Sequence, residues 1–234
     1  AIDANNRRLF VADRANNRVL VFNRDTTYRP SDRVADYVIG QADFGLCDSF
    51  GGFGASGTGN PLKTHEGVAV DPTDAGRLFV AETGSNRVLV YDFGQTPLQN
   101  GMSPQVFMGQ EGGHSFGDCR ANQSGLCGPC GIAYDPARKL LAIVDTNNNR
   151  VLVYDAGAVN DISPAAYVLG QSSFYGDAGG TAANKFQTPI GVAFDTVGGR
   201  LFVADQNNNR VVGFDLATMG NGMDASVVLG QATF

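Results

Sequence analysis

The side chains able to do chemistry in this sequence are few: four cysteines, two histidines and scattered carboxylates. Three cysteines fall close together, Cys119, Cys127 and Cys130, the last two spelling Cys127-Gly128-Pro129-Cys130. A Cys-x-x-Cys pair does disulfide exchange when its first thiol sits at a helix N-terminus, where the helix field lowers its pKa. Here Cys130 leads directly into Gly131-Ile132-Ala133, which reads as a strand, and no β-α-β alternation surrounds it. The spacing is therefore read as coincidence. A zinc knuckle built from four cysteines needs two closely spaced pairs, and only one is present. An even count of cysteines, all in loop-like sequence, instead points to disulfides and an oxidising compartment, hence an exported protein, extracellular or periplasmic. Of the three ways to pair four cysteines, Cys119–Cys127 with Cys47–Cys130 is preferred. Cys47–Cys119 with Cys127–Cys130 is disfavoured, because a Cys-x-x-Cys bridge is strained.

The other candidates are weaker. His65 and Glu66 are adjacent, and Asp43, Asp48, Asp118 and Asp177 are spread through glycine-rich segments, where carboxylate oxygens suit Ca²⁺. No Asp-x-Asp-x-Asp series occurs, nor Gly-x-Ser-x-Gly, a phosphate loop or His-Glu-x-x-His. No catalytic residue is assigned. His114, in Gly-Gly-His-Ser, carries no stronger signal.

A repeat decides where these residues stand. The phrase DTNNNRVLVYD from Asp145 recurs as DRANNRVLVFN from Asp13, ETGSNRVLVYD from Glu82 and DQNNNRVVGFD from Asp205. Each copy pairs an acid with an arginine: Asp13 and Arg18, Glu82 and Arg87, Asp145 and Arg150, Asp205 and Arg210. Gly-Gln recurs in the same phase at Gly40, Gly109, Gly170 and Gly230. Gly-(Val/Ile)-Ala-x-Asp recurs at Gly67, Gly131 and Gly191, shortened to Ala1-Ile2-Asp3 at the start. Three markers in one phase define a repeat protein, with units of about 1–60, 61–127, 128–187 and 188–234.

Each unit reads as four short strands; in the third they are GIAYD, KLLAIVD, NRVLVYD and AAYVLGQ. The run Val151-Leu152-Val153-Tyr154 is apolar at every position, which a strand tolerates only when both its faces are buried. Four-stranded antiparallel sheets sandwiched between like neighbours around an axis are the blades of a β-propeller. The fold class is therefore all-β, residues 1–234 forming one propeller domain or a fragment of one. The repeated phrase crosses from the second strand to the third. Its acid is expected to accept N–H groups of the turn, and its arginine to bond carbonyls or carboxylates of the next blade. Positive φ is expected two residues after the acid, at Gly84, Asn147 and Asn207, with Ala15 the exception. A phrase present in every blade is read as structural.

Pro-x-Gly-Val-Ala-x-Asp, Leu-Phe-Val-Ala-Asp and Asn-Asn-Arg-Val together resemble the NHL-repeat family of β-propellers, and Val-Leu-Gly-Gln-x-x-Phe at 168–174 and 228–234 is similar to a long-repeat bacterial variety. In that pattern Pro129 is the regular proline before x-Gly. The resemblance implies a ring commonly of six blades, whereas this chain holds four. It begins within an innermost strand and stops after an outermost one, so further blades are expected outside it, with a compact four-blade ring or an assembly of chains as alternatives. Either open end would expose an apolar blade face and allow self-association. Lyases resembling the family hold a metal with histidines from several blades. Here only His65 is offered, where the later blades carry Pro129 and Pro189, so that motif is not met.

In such a fold the linkers 42–66, 111–130 and 172–190 gather with the second-to-third turns on one face, and binding residues favour loops on a rigid frame. Phe44 and Phe174 follow Gly-Gln at the offset of Phe234 and are structural. Phe50, Phe53 and Tyr175 fit no repeat position. With His65 and Glu66, placed at the channel mouth, they are the ligand-binding candidates, although a lone surface histidine is the simpler account of His65. The net charge of −6 and only three lysines leave no evident basic face, which disfavours a nucleic-acid partner. No window reaches the roughly 18 apolar residues of a membrane helix, so no membrane insertion is expected. Ala1 opens no signal-peptide pattern, and a mature, processed or excised piece is expected. The preferred function is a non-enzymatic, exported interaction scaffold presenting its loop face to a protein, peptide or glycan. The alternatives are a lyase or lactonase-type enzyme using Ca²⁺ or Zn²⁺ at the channel mouth, and a structural segment of a larger repeat assembly. No cofactor is firmly implied.

Overall fold

The computed structural model of the chain describes residues 1–25, 27, 29, 33–47, 62–73, 76–110 and 119–234. Blade one comprises Ile2–Asp3 (β1), Arg8–Asp13 (β2), Arg18–Asn23 (β3) and Tyr37–Ile39 (β4). Blade two comprises His65–Asp71 (β5), Arg77–Glu82 (β6), Arg87–Asp92 (β7) and Val106–Met108 (β8). Blade three is built from Pro129–Asp135 (β9), Leu140–Asp145 (β10), Arg150–Asp155 (β11) and Tyr167–Leu169 (β12). Blade four is built from Pro189–Asp195 (β13), Arg200–Asp205 (β14), Arg210–Asp215 (β15) and Val227–Leu229 (β16). Each blade is an antiparallel sheet in simple sequence order, and the first strands lie side by side, β5 between β1 and β9, β9 between β5 and β13. This is the propeller arrangement of four blades that the repeat foretells.

The core consists of three junctions between blades. Successive residues of a strand point to opposite faces, so one alternate set faces the next blade and the other set the preceding one. Phe10, Val19, Val21 and Ile39 of blade one pack on Leu78, Val80, Leu89 and Tyr91 of blade two. Phe79, Ala81, Val88 and Val90 then pack on Leu141, Ile143, Leu152 and Tyr154, and Ala142, Val144, Val151 and Val153 on Leu201, Val203, Val212 and Phe214. That is why the third strands are apolar at every position. At about 1.5–3 kcal/mol for each large side chain removed from water, these junctions are the main stabilising term.

The Gly-Gln marker has two physical causes. Gly40, Gly109 and Gly170 take φ of +87°, +98° and +86°, and a Cβ there would collide with Leu62, Leu126 and Phe186 of the following linkers. The glutamine amide then donates to the main-chain carbonyl that ends the adjoining turn: Gln41 to Asn17, Gln110 to Asn86 and Gln171 to Asn149.

Candidate functional site at the axial mouth

The acid-to-arginine phrase folds as one 3-10 turn followed by an asparagine in the left-handed region: Asn17, Asn86, Asn149 and Asn209, with φ of 49–53°. Positive φ thus falls on the residue before the arginine, not two residues after the acid as expected at Gly84, Asn147 and Asn207. The 3-10 turn occupies those earlier positions, and the chain reverses only at its end. Asparagine tolerates this conformation better than other residues with a Cβ, and its side chain adds a second service. The Oδ1 atoms of Asn86 and Asn149 accept the N–H of Gly128 and Thr188, just before the first strand of the next blade, at 2.7 and 2.8 Å.

The acid does not cap its own turn either. Asp145 accepts the Cys127 N–H at 2.6 Å, Glu82 that of Lys63 at 2.7 Å and Asp205 that of Gln187 at 2.7 Å, each from the linker entering the same blade. Arg150 Nε meets the other Asp145 oxygen at 2.6 Å. Its terminal nitrogens donate to Asn122 and Gly125 in the linker before the blade and to Phe174 in the linker after it. Arg210 repeats the pattern with Asp205 and with the Thr181, Ala182 and Lys185 carbonyls. Arg87 pairs with Glu82, and Arg18 with Asp13. The phrase is therefore a buried staple that moors the linkers to the blades.

Within the first strands the ladder skips one residue beside the turn. The pairing jumps from His65 to Gly67 and from Pro189 to Gly191, with the same irregularity in β9. Such a bulge re-aims a side chain, and the residues concerned are Glu66, Cys130 and Ile190. Cys130 Sγ donates to Glu66 Oε2 at 2.7 Å, and Glu66 Oε1 pairs with Arg14 at 3.0 Å. Three blades thus contribute one polar group each to a chain of contacts across the axial mouth, while Ile190 is exposed beside it. Burial, reinforced by the hydrogen bond to and charge of Glu66, pushes the Cys130 thiol up to about 12. The thiol is a neutral donor, so the Cys-x-x-Cys pair has no nucleophile.

Two sequence expectations are corrected here. Cys119 bonds to Cys127, but Cys47 and Cys130 form no bridge. Cys130 is committed to Glu66 from within a strand, and Cys47 is an exposed free thiol. His65 is not a surface residue: it is completely buried, in the slot that Pro129 and Pro189 occupy in the next blades. Desolvation therefore holds its pKa below the ordinary histidine value, countered only in part by the Arg18 main chain and the Asp13 carboxylate. Glu66 reaches the mouth and His65 does not.

A second concavity of about 400 Å³ opens where blades two and three meet, lined among others by Arg120, Asn122, Gln123, Asp161, Ile162 and Tyr175. Its wall at 119–125 is held by the Cys119–Cys127 bridge and by Arg150 and Asn148, which grip the Asn122, Gly125 and Arg120 carbonyls. Tyr175 and Ile162 expose 76% and 65% of their surfaces there. The repeat contributes only Gly109 and Gln110 to this cleft; its other lining residues come from three irregular segments, which is why the repeat does not reveal it. Phe50 and Phe53, like Asp48, His114, Phe116 and Asp118, lie outside the described residues. Among the described residues, no three of His, Cys, Asp and Glu converge as metal ligands, and no helix is long and apolar enough to cross a membrane.

Residues 186–214, from the end of the last linker through most of β15, match the NHL repeat family model. The chain is 27% identical over 192 residues to NHL repeat-containing protein 2 of Gallus gallus, an alignment covering 74% of this chain and 25% of that protein. It spans about a quarter of that relative's length.

Proposed function

The chain is an array of four NHL-repeat propeller blades, and from that premise we propose that it is an interaction scaffold. It binds an extended segment of a protein partner in the cleft between blades two and three, beside their outer strands. One observation carries this reading: the exposed Tyr175 and Ile162 stand over a concavity whose wall is fixed in advance by the Arg150 staple and a disulfide. Pre-ordering removes an entropic cost from binding, and an exposed tyrosine over a pocket is typical of residues that dominate an interface. The Cys119–Cys127 bridge supports an oxidising, extracellular or periplasmic location.

The test is selection of displayed peptides on the immobilised chain, then fluorescence anisotropy with the selected peptide. Tyr175→Ser and Ile162→Ser should each weaken binding about tenfold, the equivalent of 1.4 kcal/mol. Binding indifferent to both changes would remove the cleft from consideration. The metal-dependent enzyme has less support, since His65 faces no solvent and Glu66 is already engaged by Arg14 and Cys130. Stoichiometric Ca²⁺ or Zn²⁺ retained through dialysis would revive it.

A further inference from the structure

The outermost strands of blades one and three are clipped by the blade that follows. Val38 donates its N–H to Asn100 Oδ1, and Val168 donates to Asn221 Oδ1, both at 3.0 Å. Gly101 and Gly222, next in sequence, return N–H bonds to the carbonyls of the same two valines at 3.0 Å. Only glycine fits there: φ is +66° at both, and a Cβ would lie 3.1 Å from the Ala42 Cα and 2.8 Å from the Ser172 Cα. An Asn-Gly pair thus closes the outer edge of these two junctions.

The junction between blades two and three is built differently. Asp161-Ile162 stand where the other two have Asn-Gly. Asp161 Oδ1 still accepts the Phe107 N–H, at 2.7 Å, but the Ile162 N–H turns to Asn160 Oδ1 in its own loop. Ile162 carries an exposed side chain at a place where its counterparts have no room for a Cβ. The blades part at this edge, and the cleft lined by Asp161, Ile162 and Tyr175 is the result. The clip needs only a carbonyl oxygen, which a neutral asparagine provides at the other two junctions, so the charge of Asp161 is surplus to it. Among the described residues, Asp161 Oδ2 accepts no hydrogen bond, and no ion pair joins Asp161 to Arg120, the other charged residue of the lining.

We propose that Asp161 selects the partner: the segment bound in this cleft carries a lysine or arginine whose charged end pairs with the second carboxylate oxygen. The inference rests on the cleft being the binding site. A carboxylate in one cleft with an exposed aromatic ring favours a basic side chain, through a charge-assisted hydrogen bond and the face of the ring. Asp161 is half-buried, so its attraction is screened less than on an open surface.

Asp161→Asn is the test, since asparagine holds the same clip in blades two and four. Peptides selected on the immobilised chain should carry lysine or arginine, and one of them, labelled, is the probe for fluorescence anisotropy. Asp161→Asn should weaken its binding about tenfold and flatten its dependence on salt. A version of the peptide with glutamine at the basic position should bind both proteins alike, and their urea midpoints should agree. Tyr175→Ser and Ile162→Ser separate the two readings. If they weaken binding and Asp161→Asn does not, the cleft stands and the role of Asp161 falls. If none of the three matters, or no peptide is selected, both fall. Selected peptides without a basic residue overturn the proposal. So does an Asp161→Asn variant that loses stability but keeps its affinity, for the charge then serves the clip alone. Should that variant not fold, the unaltered chain decides: peptide affinity that does not fall with rising salt excludes the ion pair.

Discussion

Asp145 and Arg150 form a salt bridge in which neither side chain is exposed at all, Nε to Oδ2 at 2.6 Å. Such a pair is worth little by itself, because removing two charges from water offsets most of their attraction. Its value here lies in the remaining valences. The carboxylate also holds the Cys127 N–H, and the guanidinium holds carbonyls from two linkers. Removing the arginine therefore orphans a buried charge and loosens both approaches to the blade.

Arg150→Ala should cost about 3–5 kcal/mol, the range for leaving half of a buried pair. Arg18→Ala should cost clearly less, since the Arg18–Asp13 pair is partly solvated. Urea unfolding of the two variants side by side measures both, and equal losses would contradict the mooring role.

The His65 imidazole predicts acid sensitivity. Its folded pKa is depressed by burial, so the unfolded chain binds the proton more readily, and stability must fall as pH drops below about 6.5, the ordinary histidine value. His65→Pro, the residue found at this place in blades three and four, should flatten that decline. The preceding Thr64 already has φ of +47°, close to the +53° of Thr188 before Pro189. Urea midpoints at pH 7.5 and pH 5 for the two proteins are the comparison.

Glu66 should protect Cys130 from alkylation. At pH 8 the exposed Cys47 should react far faster than Cys130, and Glu66→Gln should speed Cys130 by about tenfold for each pKa unit recovered. Peptide mapping after timed iodoacetamide treatment reads both thiols. Equal rates at the outset would sink the idea that Glu66 holds the proton on sulfur.

One disulfide gives the oxidised chain a mass two hydrogens below its reduced form, and two titratable thiols when unfolded without reductant. Changing Cys119 and Cys127 together to serine should cost about 2–3 kcal/mol, the chain-entropy value for so short a loop. Ellman titration and thermal melts provide the numbers.

Asparagine at the end of the turn serves two ends at once, and glycine separates them. Asn149→Gly keeps the left-handed backbone but loses the bond to the Thr188 N–H and should cost about 1 kcal/mol. Asn149→Ala adds a strained φ and should cost about 1–2 kcal/mol more. If both variants lose the same amount, the backbone conformation is not the constraint.

The blades are legible in the sequence because Val151 to Tyr154 and their counterparts admit no other environment, and because Gly-Gln and the acid-arginine phrase keep phase with them. The geometry inside the phrase is less legible. Gly84, Asn147 and Asn207 look like the turn residues, but composition does not reveal that a 3-10 turn delays the reversal to Asn86, Asn149 and Asn209. The bulges at Glu66, Cys130 and Ile190 are invisible for a related reason, since register is a relation between two strands. Polarity hides the burial of His65, which takes a proline's place in a buried slot. The preference for a Cys47–Cys130 bridge fails because linker length permits it, while only the strand shows Cys130 turned towards Glu66.

The bulge divides each first strand into a part that must recur and a single site that need not. Glu66, Cys130 and Ile190 have nothing in common chemically, yet the sheets carrying them superimpose in pattern, strand for strand. Axis chemistry and foldability are thus inherited separately in this chain. Exchanging those residues, by drift or by an engineer, rewrites what the central opening offers a visitor and leaves the scaffold's own grammar untouched.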